Sequence, residues 1–200
     1  MDTDDLTRPD VSRREHFARM RLLRDNATSQ KLAVFLVGPL ATLLVALVLV
    51  FFVVWNPSTI SGPSMMPTLF DHDYVLATKG LADPHRGDIV ILNVVFKGKP
   101  EEWVKRLVAL PGDTVDVKGD IITVNGAPEA FKHSIGTNGA SGPVEHLIVP
   151  AGRIFVAGDN RAVSEDSRFV GTFALSAIKG RVVFIYAPIL RFGPVPGPAR

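Results

Sequence analysis

An uninterrupted apolar run near the start of the chain constrains its fold more than any other feature. Residues 32–55 read LAVFLVGPLATLLVALVLVFFVVW and contain no charged side chain. A helix of this length rises about 36 Å, which is enough to cross a hydrocarbon core of roughly 30 Å with some tilt. A cleavable secretory signal has a shorter apolar core, of about 7 to 15 residues, and ends in a small-residue cleavage site. The residues at which the run ends here, Trp55-Asn56-Pro57-Ser58, make a poor cleavage site of this type. The run therefore predicts one transmembrane helix.

The charges on either side of this run predict its orientation. Beyond Trp55 no charge follows until Asp71, and between residues 13 and 31 only Glu15 and Asp25 oppose the basic residues. Those basic residues are Arg13, Arg14, Arg19, Arg21, Arg24 and Lys31. Cytoplasmic flanks of membrane helices are enriched in Lys and Arg. We therefore predict a cytoplasmic basic tail at 1–31, the span at 32–55 and an extracytoplasmic domain at 56–200.

The composition of the predicted outer domain excludes several classes of function. Residues 56–200 hold 15 Lys and Arg against 14 Asp and Glu, a balance that gives no sign of a nucleic-acid partner. Cysteine is absent, which excludes thiol catalysis and leaves the domain to rely on its own core. The five histidines show no H-E-x-x-H spacing, and no phosphate-binding glycine loop is present. We predict neither a metal nor a cofactor.

Short runs rich in β-branched and aromatic residues alternate with turn residues through this domain. We expect about eight strands, whose spacing is typical of a mainly β, antiparallel sheet or barrel-like domain. The predicted strands are 73–78, 88–96, 103–110, 114–117, 121–124, 147–149, 153–157 and 181–187. Residues 176–179 are predicted to form a short helical turn, and 131–144 a loop. The tail at 191–200 is predicted to be irregular because of its Pro and Gly content.

Ser64 is a candidate nucleophile. It lies in the segment SGPSMMPTL at 61–69, where Gly62 allows close backbone approach and two prolines restrict φ. A serine in such a segment is more often a simple turn residue. Ser64 follows the predicted span by only nine residues, so it lies within about 30 Å of the end of the span. Chemistry at this serine would take place near the bilayer surface. The segment does not decide whether Met65, Met66 and Phe70 contact lipid or pack in the core.

Lys105 is a candidate general base. With the strand period of two, Trp103, Lys105, Leu107 and Ala109 share one face, on which Lys105 is the only charge. Such a lysine often extends its amine to water. A buried lysine instead has a lowered pKa, because desolvation favours the neutral amine. A neutral lysine beside a serine hydroxyl can accept its proton.

A third polar cluster, GDNRAVSEDSR, occupies residues 158–168 after a predicted strand. Many surface loops have this composition. The functional alternative is that Asp159, Asp166 and Arg168 form ion pairs that fix the loop, while a serine hydroxyl orients the base.

Taken together, these segments resemble bacterial type I signal peptidases, also called leader peptidases, over roughly residues 32–187. The matching segments stand in the family's order: SMMPTL at 64–69, RGDIV at 86–90, VKRLVALPGD at 104–113 and GDNRAVSEDSR at 158–168. The resemblance implies a membrane-bound serine endopeptidase without a cofactor. Its partners would be the lipid bilayer and the signal peptides of exported preproteins, which it would remove on the outer face of the cell membrane.

The resemblance also implies roles for the residues of a Ser-Lys dyad. Ser64 would be the nucleophile and would supply an oxyanion donor through its own backbone N–H. Lys105 would be the general base, and Ser164 matches the serine that hydrogen-bonds the lysine. Gly62 stands where some members have a serine whose hydroxyl completes the oxyanion hole, so the second donor is unassigned.

Two structural ion pairs follow from the same resemblance: Asp159 with Arg106, and Asp166 with Arg168. The short interval between Lys105 and Asp159 implies that the second β-domain of larger members is minimal or missing.

Alternative functions share parts of this pattern. A dedicated peptidase for one exported substrate, such as a pilin-type or conjugation precursor, would share every motif. A catalytically inactive, membrane-anchored binding module would not need the set Ser64, Lys105 and Ser164. Self-cleaving repressors use Ser-Lys chemistry but carry a DNA-binding domain in place of a membrane span. Ser176 and Lys179 match the S-x-x-K pattern of penicillin-binding enzymes, whose S-D-N and K-T-G elements are missing here.

Overall fold

The computed structural model describes residues 11–119, 121–129 and 145–195. The chain divides into two compact units, Met1–Phe51 and Phe52–Arg200. The loop predicted at 131–144 lies outside the described residues.

A single long helix, α1 (Val11–Val54), dominates the N-terminal part of the chain. Its segment Val37–Val54 has a mean hydropathy of 2.8 and is fully exposed, and within the described residues it alone is a helix long and apolar enough to cross a membrane. Pro39 lies inside α1, a position that membrane helices tolerate. The helix ends one residue before the predicted end of the span, within the usual uncertainty of helix boundaries.

The second unit consists mainly of antiparallel strands, as predicted. In chain order they are β1 (Trp55–Thr59), β2 (Tyr74–Lys79), β3 (Ile89–Phe96), β4 (Lys99–Ala109), β5 (Thr114–Lys118), β6 (Ile121–Val124), β7 (Ala127–Pro128), β8 (His146–Ile148), β9 (Arg153–Ala157), β10 (Phe173–Ala174), β11 (Ile178–Ala187) and β12 (Gly193–Pro194). A short helix, α2 (Ser167–Val170), follows β9. The eight predicted strands are all present, with boundaries shifted by a few residues.

These strands form two sheets. The larger one has the order β1-β2-β11-β3-β4-β9-β10, with β12 paired to β11. The smaller one has the order β7-β6-β5-β8 and lies in sequence between Lys105 and Asp159. An inserted β-element is therefore present there in a minimal, four-stranded form.

Four short strands were not predicted: β1, β7, β10 and β12. Pro57 made β1 a poor candidate, but β1 is the edge of its sheet, where a missing N–H is tolerated. The prediction of an irregular C-terminal tail is wrong at Gly193–Pro194, which pairs with β11. Phe192 packs its ring edge-on against Phe184 at 4.9 Å between centroids, and this contact fixes the tail.

The helical turn predicted at 176–179 is displaced. A 3-10 turn covers Leu175–Ala177, and β11 begins at Ile178. Ile178 and Gly180, which precede the predicted strand 181–187, pair with β3, and this pairing extends β11 at its N-terminal end.

The hairpin of β3 and β4 sets the position of Lys105. Lys97 and Gly98 both have positive φ, as a two-residue hairpin turn requires. This turn pairs Phe96 with Lys99 and, further along, Val90 with Lys105.

One strand-face prediction needs correction. The pairing of β4 with β9 shifts between Leu107 and Ala109, which breaks the period of two. Leu107 packs with Trp103 in one apolar cluster, whereas Ala109 packs in another together with Val108. Ala109 therefore does not share the environment of Lys105 and Leu107.

Candidate active site

Apolar anchors hold the loop that carries Ser64. Between β1 and β2, Ile60, Met65 and Leu69 are at most 2 % exposed and belong to one core cluster. The Leu69 N–H donates to the Met65 carbonyl at 2.9 Å, which closes a turn directly after the half-buried Ser64. Met65 is therefore a core residue. The neighbouring Gly62 has φ +85°, a conformation that favours glycine, and its N–H donates to Asp71 Oδ1 at 2.8 Å.

Lys105 is buried, with 6 % of its surface exposed. Its Nζ donates to Ser164 Oγ at 3.2 Å and lies 5.4 Å from the centroid of the Trp103 ring. Burial lowers the Lys105 pKa to about 8. The carboxylate of Asp166 opposes this change, the Arg168 charge adds to it, and Glu165 opposes it more weakly.

Gly158, directly after β9, is the point where the Ser64 loop and Ser164 meet. A β-carbon at this position would overlap both the Ser64 carbonyl oxygen and the Ser164 hydroxyl. The Ser64 carbonyl also accepts a hydrogen bond from the Asn160 N–H at 3.0 Å. Because Ser164 in turn bonds Lys105, this close approach brings the three predicted catalytic segments into one region.

The predicted ion pair of Arg106 with Asp159 is present and fully buried. The guanidinium donates through Nε to Oδ1 at 2.7 Å and through Nη2 to Oδ2 at 2.6 Å, a bidentate pair. Arg106 Nη1 also donates to the Gly87 carbonyl at 2.8 Å. Thr68, in the loop that carries Ser64, donates to Asp159 Oδ2 at 2.5 Å. The pair therefore joins the strand residue next to Lys105 to the loop that carries Ser64.

Asp166 and Arg168 form a second bidentate ion pair, with both side chains fully buried. Burial alone would raise the Asp166 pKa, but hydrogen bonds and the charge of Arg168 bring it below its usual value. The carboxylate accepts from the Gly158 N–H at 3.0 Å and caps α2. Arg168 Nη2 donates to the Ser164 carbonyl at 3.3 Å. This pair therefore fixes the backbone at Gly158 and at Ser164, the residue that accepts the hydrogen bond from Lys105.

The structure thus brings the Ser64 loop, Lys105, Ser164 and the two predicted ion pairs into one region. The alternative pair, Ser176 and Lys179, lies elsewhere: Ser176 is exposed, and Lys179 pairs with Glu102 on the sheet surface. Among the described residues, no group of three or more His, Asp or Glu could hold a metal ion.

Sequence reasoning gave no role to two residues of this site, Thr68 and Gly158. Both lie inside the segments that carried the resemblance, so their position in those segments was the available signal. Their contacts join parts of the chain about 90 residues apart, which local pattern does not reveal.

Comparison with known proteins bears on the family of this chain. A sequence model of the family described as signal peptidase, peptidase S26, matches residues 33–187. Signal peptidase I P of Bacillus subtilis subsp. natto is 36% identical over 167 residues, covering 74% of this chain and 88% of that protein. Signal peptidase I T of Bacillus subtilis strain 168 is 36% identical over 149 residues, covering 67% of this chain and 75% of that protein. A solved signal peptidase I from Enterococcus faecalis has 26% identity and a TM-score of 0.41, covering 51% of this chain and 98% of that one. The family match extends over most of the sequence, and this chain belongs to the signal peptidase family, peptidase S26.

Proposed function

We propose that this chain removes signal peptides from exported preproteins, with Ser64 as the nucleophile and Lys105 as the general base. Family membership makes the chain a serine endopeptidase, a hydrolase that acts on peptide bonds. The observation that carries the residue assignment is the burial of Lys105, with a pKa near 8, next to Ser164 and the Ser64 loop.

In the proposed reaction, the neutral Lys105 amine accepts the proton of the Ser64 hydroxyl as its oxygen attacks the scissile carbonyl. The Ser64 N–H donates to the developing oxyanion. The C–N bond then breaks, and protonated Lys105 returns the proton to the leaving amine, which becomes the new N-terminus of the mature protein. A water molecule next loses a proton to Lys105 and attacks the acyl ester. Release of the Ser64 oxygen, reprotonated by Lys105, restores the enzyme and frees the signal peptide.

The ion pairs support this reaction by fixing geometry. Asp159 and Arg106 hold the Ser64 loop against the strand of Lys105, while Asp166 and Arg168 hold the backbone around Ser164. In this proposal Ser164 orients the Lys105 amine, and Gly62 shapes the turn before the nucleophile through its positive φ. The second oxyanion donor is unassigned, because Gly62 has no side-chain hydroxyl and its N–H donates to Asp71 Oδ1.

The protein is membrane-anchored, and its apolar helix segment is Val37–Val54. We infer a single pass with the N-terminus in the cytoplasm and the peptidase domain outside, because basic residues precede the segment. Lipid is thus the second partner, and the near balance of charge in 56–200 supports the absence of a nucleic-acid partner. By resemblance, the substrate would be an extended peptide with small side chains at the first and third positions before the cut.

Separate Ser64→Ala and Lys105→Ala variants test the assignment. Each is expected to abolish cleavage of a preprotein in detergent while leaving the melting temperature close to or above that of wild type. The chain offers matched controls in Ser176→Ala and Lys179→Ala, which remove the same functional groups elsewhere and should keep normal rates. Wild-type rates in either test variant would refute the dyad. A binding module that had lost catalysis would instead show no cleavage even as the wild-type protein, and it would tolerate both alanine changes.

The breadth of the substrate range needs a different experiment. Depletion of the enzyme in its own cells, followed by comparison of processed secreted proteins, is expected to show many uncleaved preproteins. Accumulation of one precursor alone would instead establish a dedicated peptidase.

A further inference from the structure

A third buried ion pair lies beside the proposed catalytic groups and has no role in the reaction above. Glu129, which follows β7 in the smaller sheet, pairs through Oε1 with Nη1 of Arg161. Their side chains are only 9% and 1% exposed. The Glu129 N–H donates to the Ile122 carbonyl at 3.1 Å, so the carboxylate is carried by the β6–β7 hairpin.

Arg161 connects this carboxylate to the loop that holds the proposed base. Its Nε donates to the Gly158 carbonyl at 2.8 Å, and its own carbonyl accepts from Arg168 Nη2 at 3.0 Å. The peptide groups on the two sides of Gly158 are thus both fixed: the carbonyl by Arg161 and the N–H by Asp166.

The position of Gly158 matters because its backbone packs against both reacting segments. An added β-carbon there would overlap the Ser64 carbonyl oxygen and the Ser164 hydroxyl, so there is no room for movement toward either. A shift of Gly158 away from them would loosen the contact between the Ser64 loop and the partner of Lys105. Displacements of about 1 Å in a catalytic constellation can cost about 100-fold in rate.

Stability alone is a weak reason for such a pair. The cost of desolvating two buried charges offsets most of their attraction, although removing one partner leaves an uncompensated charge. Burial raises the Glu129 pKa, and Arg161 opposes that rise, in agreement with a pair that is costly to bury. What the pair does impose is a fixed geometry, since the carboxylate and guanidinium must meet at one position.

We propose that Glu129 is a positioning residue for the peptidase reaction, acting through Arg161 to hold Gly158 between the Ser64 loop and Ser164. This inference rests on the proposed function. In this proposal the smaller sheet contributes to the active site, because it supplies the carboxylate that fixes the loop containing Gly158 and Ser164.

The test compares Glu129→Ala, Glu129→Gln and the control Glu145→Ala in the full-length protein in detergent, with a preprotein as substrate. Glu145 carries an exposed carboxylate directly before β8 of the same sheet. We expect Glu129→Ala to lower kcat about 10- to 100-fold with KM changed less than about threefold. Glu129→Gln keeps an acceptor for Arg161 and should recover part of that loss, while Glu145→Ala should match wild type.

A double-mutant cycle with Arg161→Ala separates positioning from general stabilisation. Because Glu129 acts only through Arg161 in this proposal, the double variant should have the kcat of Arg161→Ala alone, expressed per folded molecule from thermal melting. Full kcat per folded molecule in Glu129→Ala would overturn the proposal, as would additive losses in the double variant. If Glu129→Ala does not fold, the same comparison is made with Glu129→Gln, for which kcat equal to that of wild type overturns it.

Ser64→Ala, assayed in parallel, distinguishes failure of the positioning role from failure of the proposed function. An inactive Ser64→Ala beside a fully active Glu129→Ala would refute the positioning role and leave the proposed function intact. An active Ser64→Ala would refute both.

Discussion

The acidic limb of the pH–rate profile follows directly from the burial of Lys105. A lysine with a pKa of 10.5 is about 0.3% neutral at pH 8, whereas one with a pKa of about 8 is about half neutral. Burial therefore increases the reactive fraction about 150-fold at pH 8. Lowering the pH from 8 to 6 reduces the neutral fraction about 50-fold, and kcat/KM should fall by the same factor.

The measurement is kcat/KM for a preprotein between pH 6 and 10 at constant ionic strength. We expect a limb of unit slope with an apparent pKa near 8, followed by a plateau. A limb near 10, or constant activity from pH 6 to 8, would refute the argument that desolvation prepares the base.

A surface charge provides a sharper check of the same argument. The exposed Glu165 carboxylate raises the Lys105 pKa, so Glu165→Gln should move the limb to lower pH. Added salt should reduce the difference from wild type, because exposed charges are screened. Glu145→Gln, which removes a carboxylate that is not among the main charges acting on Lys105, serves as the control. A shift of the limb to higher pH in Glu165→Gln would contradict the assignment of Lys105 as the titrating group.

Three further predictions concern stability and packing. The pKa of Lys105 is lower in the folded state than in the unfolded state, so its burial destabilises the fold by an amount that grows as the pH falls from about 10.5 to 8 and is constant below pH 8. At pH 7, Lys105→Met should therefore have a higher melting temperature than wild type, with an unfolding free energy larger by up to about 3 kcal/mol. The same variant should be inactive. Thr68→Val removes the hydroxyl bound to buried Asp159 and should cost about 1–3 kcal/mol in denaturant unfolding, with reduced kcat; an unchanged midpoint would show that the bond contributes nothing. Gly158→Ala should lose at least about 100-fold in activity through its clash with the catalytic segments, whereas Gly193→Ala, which meets no atom within 4 Å, should behave as wild type.

Local pattern was sufficient for the features that depend on sequence neighbours. The apolar run indicated a helix that can span a membrane, and alternating segments indicated the strands of a mainly β domain; the fold class and the family are both confirmed. The short segments that matched the family also contained Ser64, Lys105, Ser164 and the ion pairs Arg106–Asp159 and Asp166–Arg168, although the roles of Ser64 and Lys105 stay predictions.

Local sequence patterns did not predict which strands pair with one another. The strands β1 and β12 are short and contain proline, and each is a strand only because a neighbour supplies its hydrogen bonds. The shift between β4 and β9 likewise depends on the partner strand, and it moved Ala109 into a different core cluster from Leu107.

The sequence by itself therefore determined the apolar helix that can span a membrane, the strand content and the chemical groups available for the reaction. Only the tertiary structure decided that Lys105 is buried and bonded to Ser164, 59 residues away, and that Glu129 pairs with Arg161. The physical reason is that a pKa, a buried charge and a close approach such as that at Gly158 depend on which distant groups exclude water from a site. Those groups meet only when the sheets are assembled.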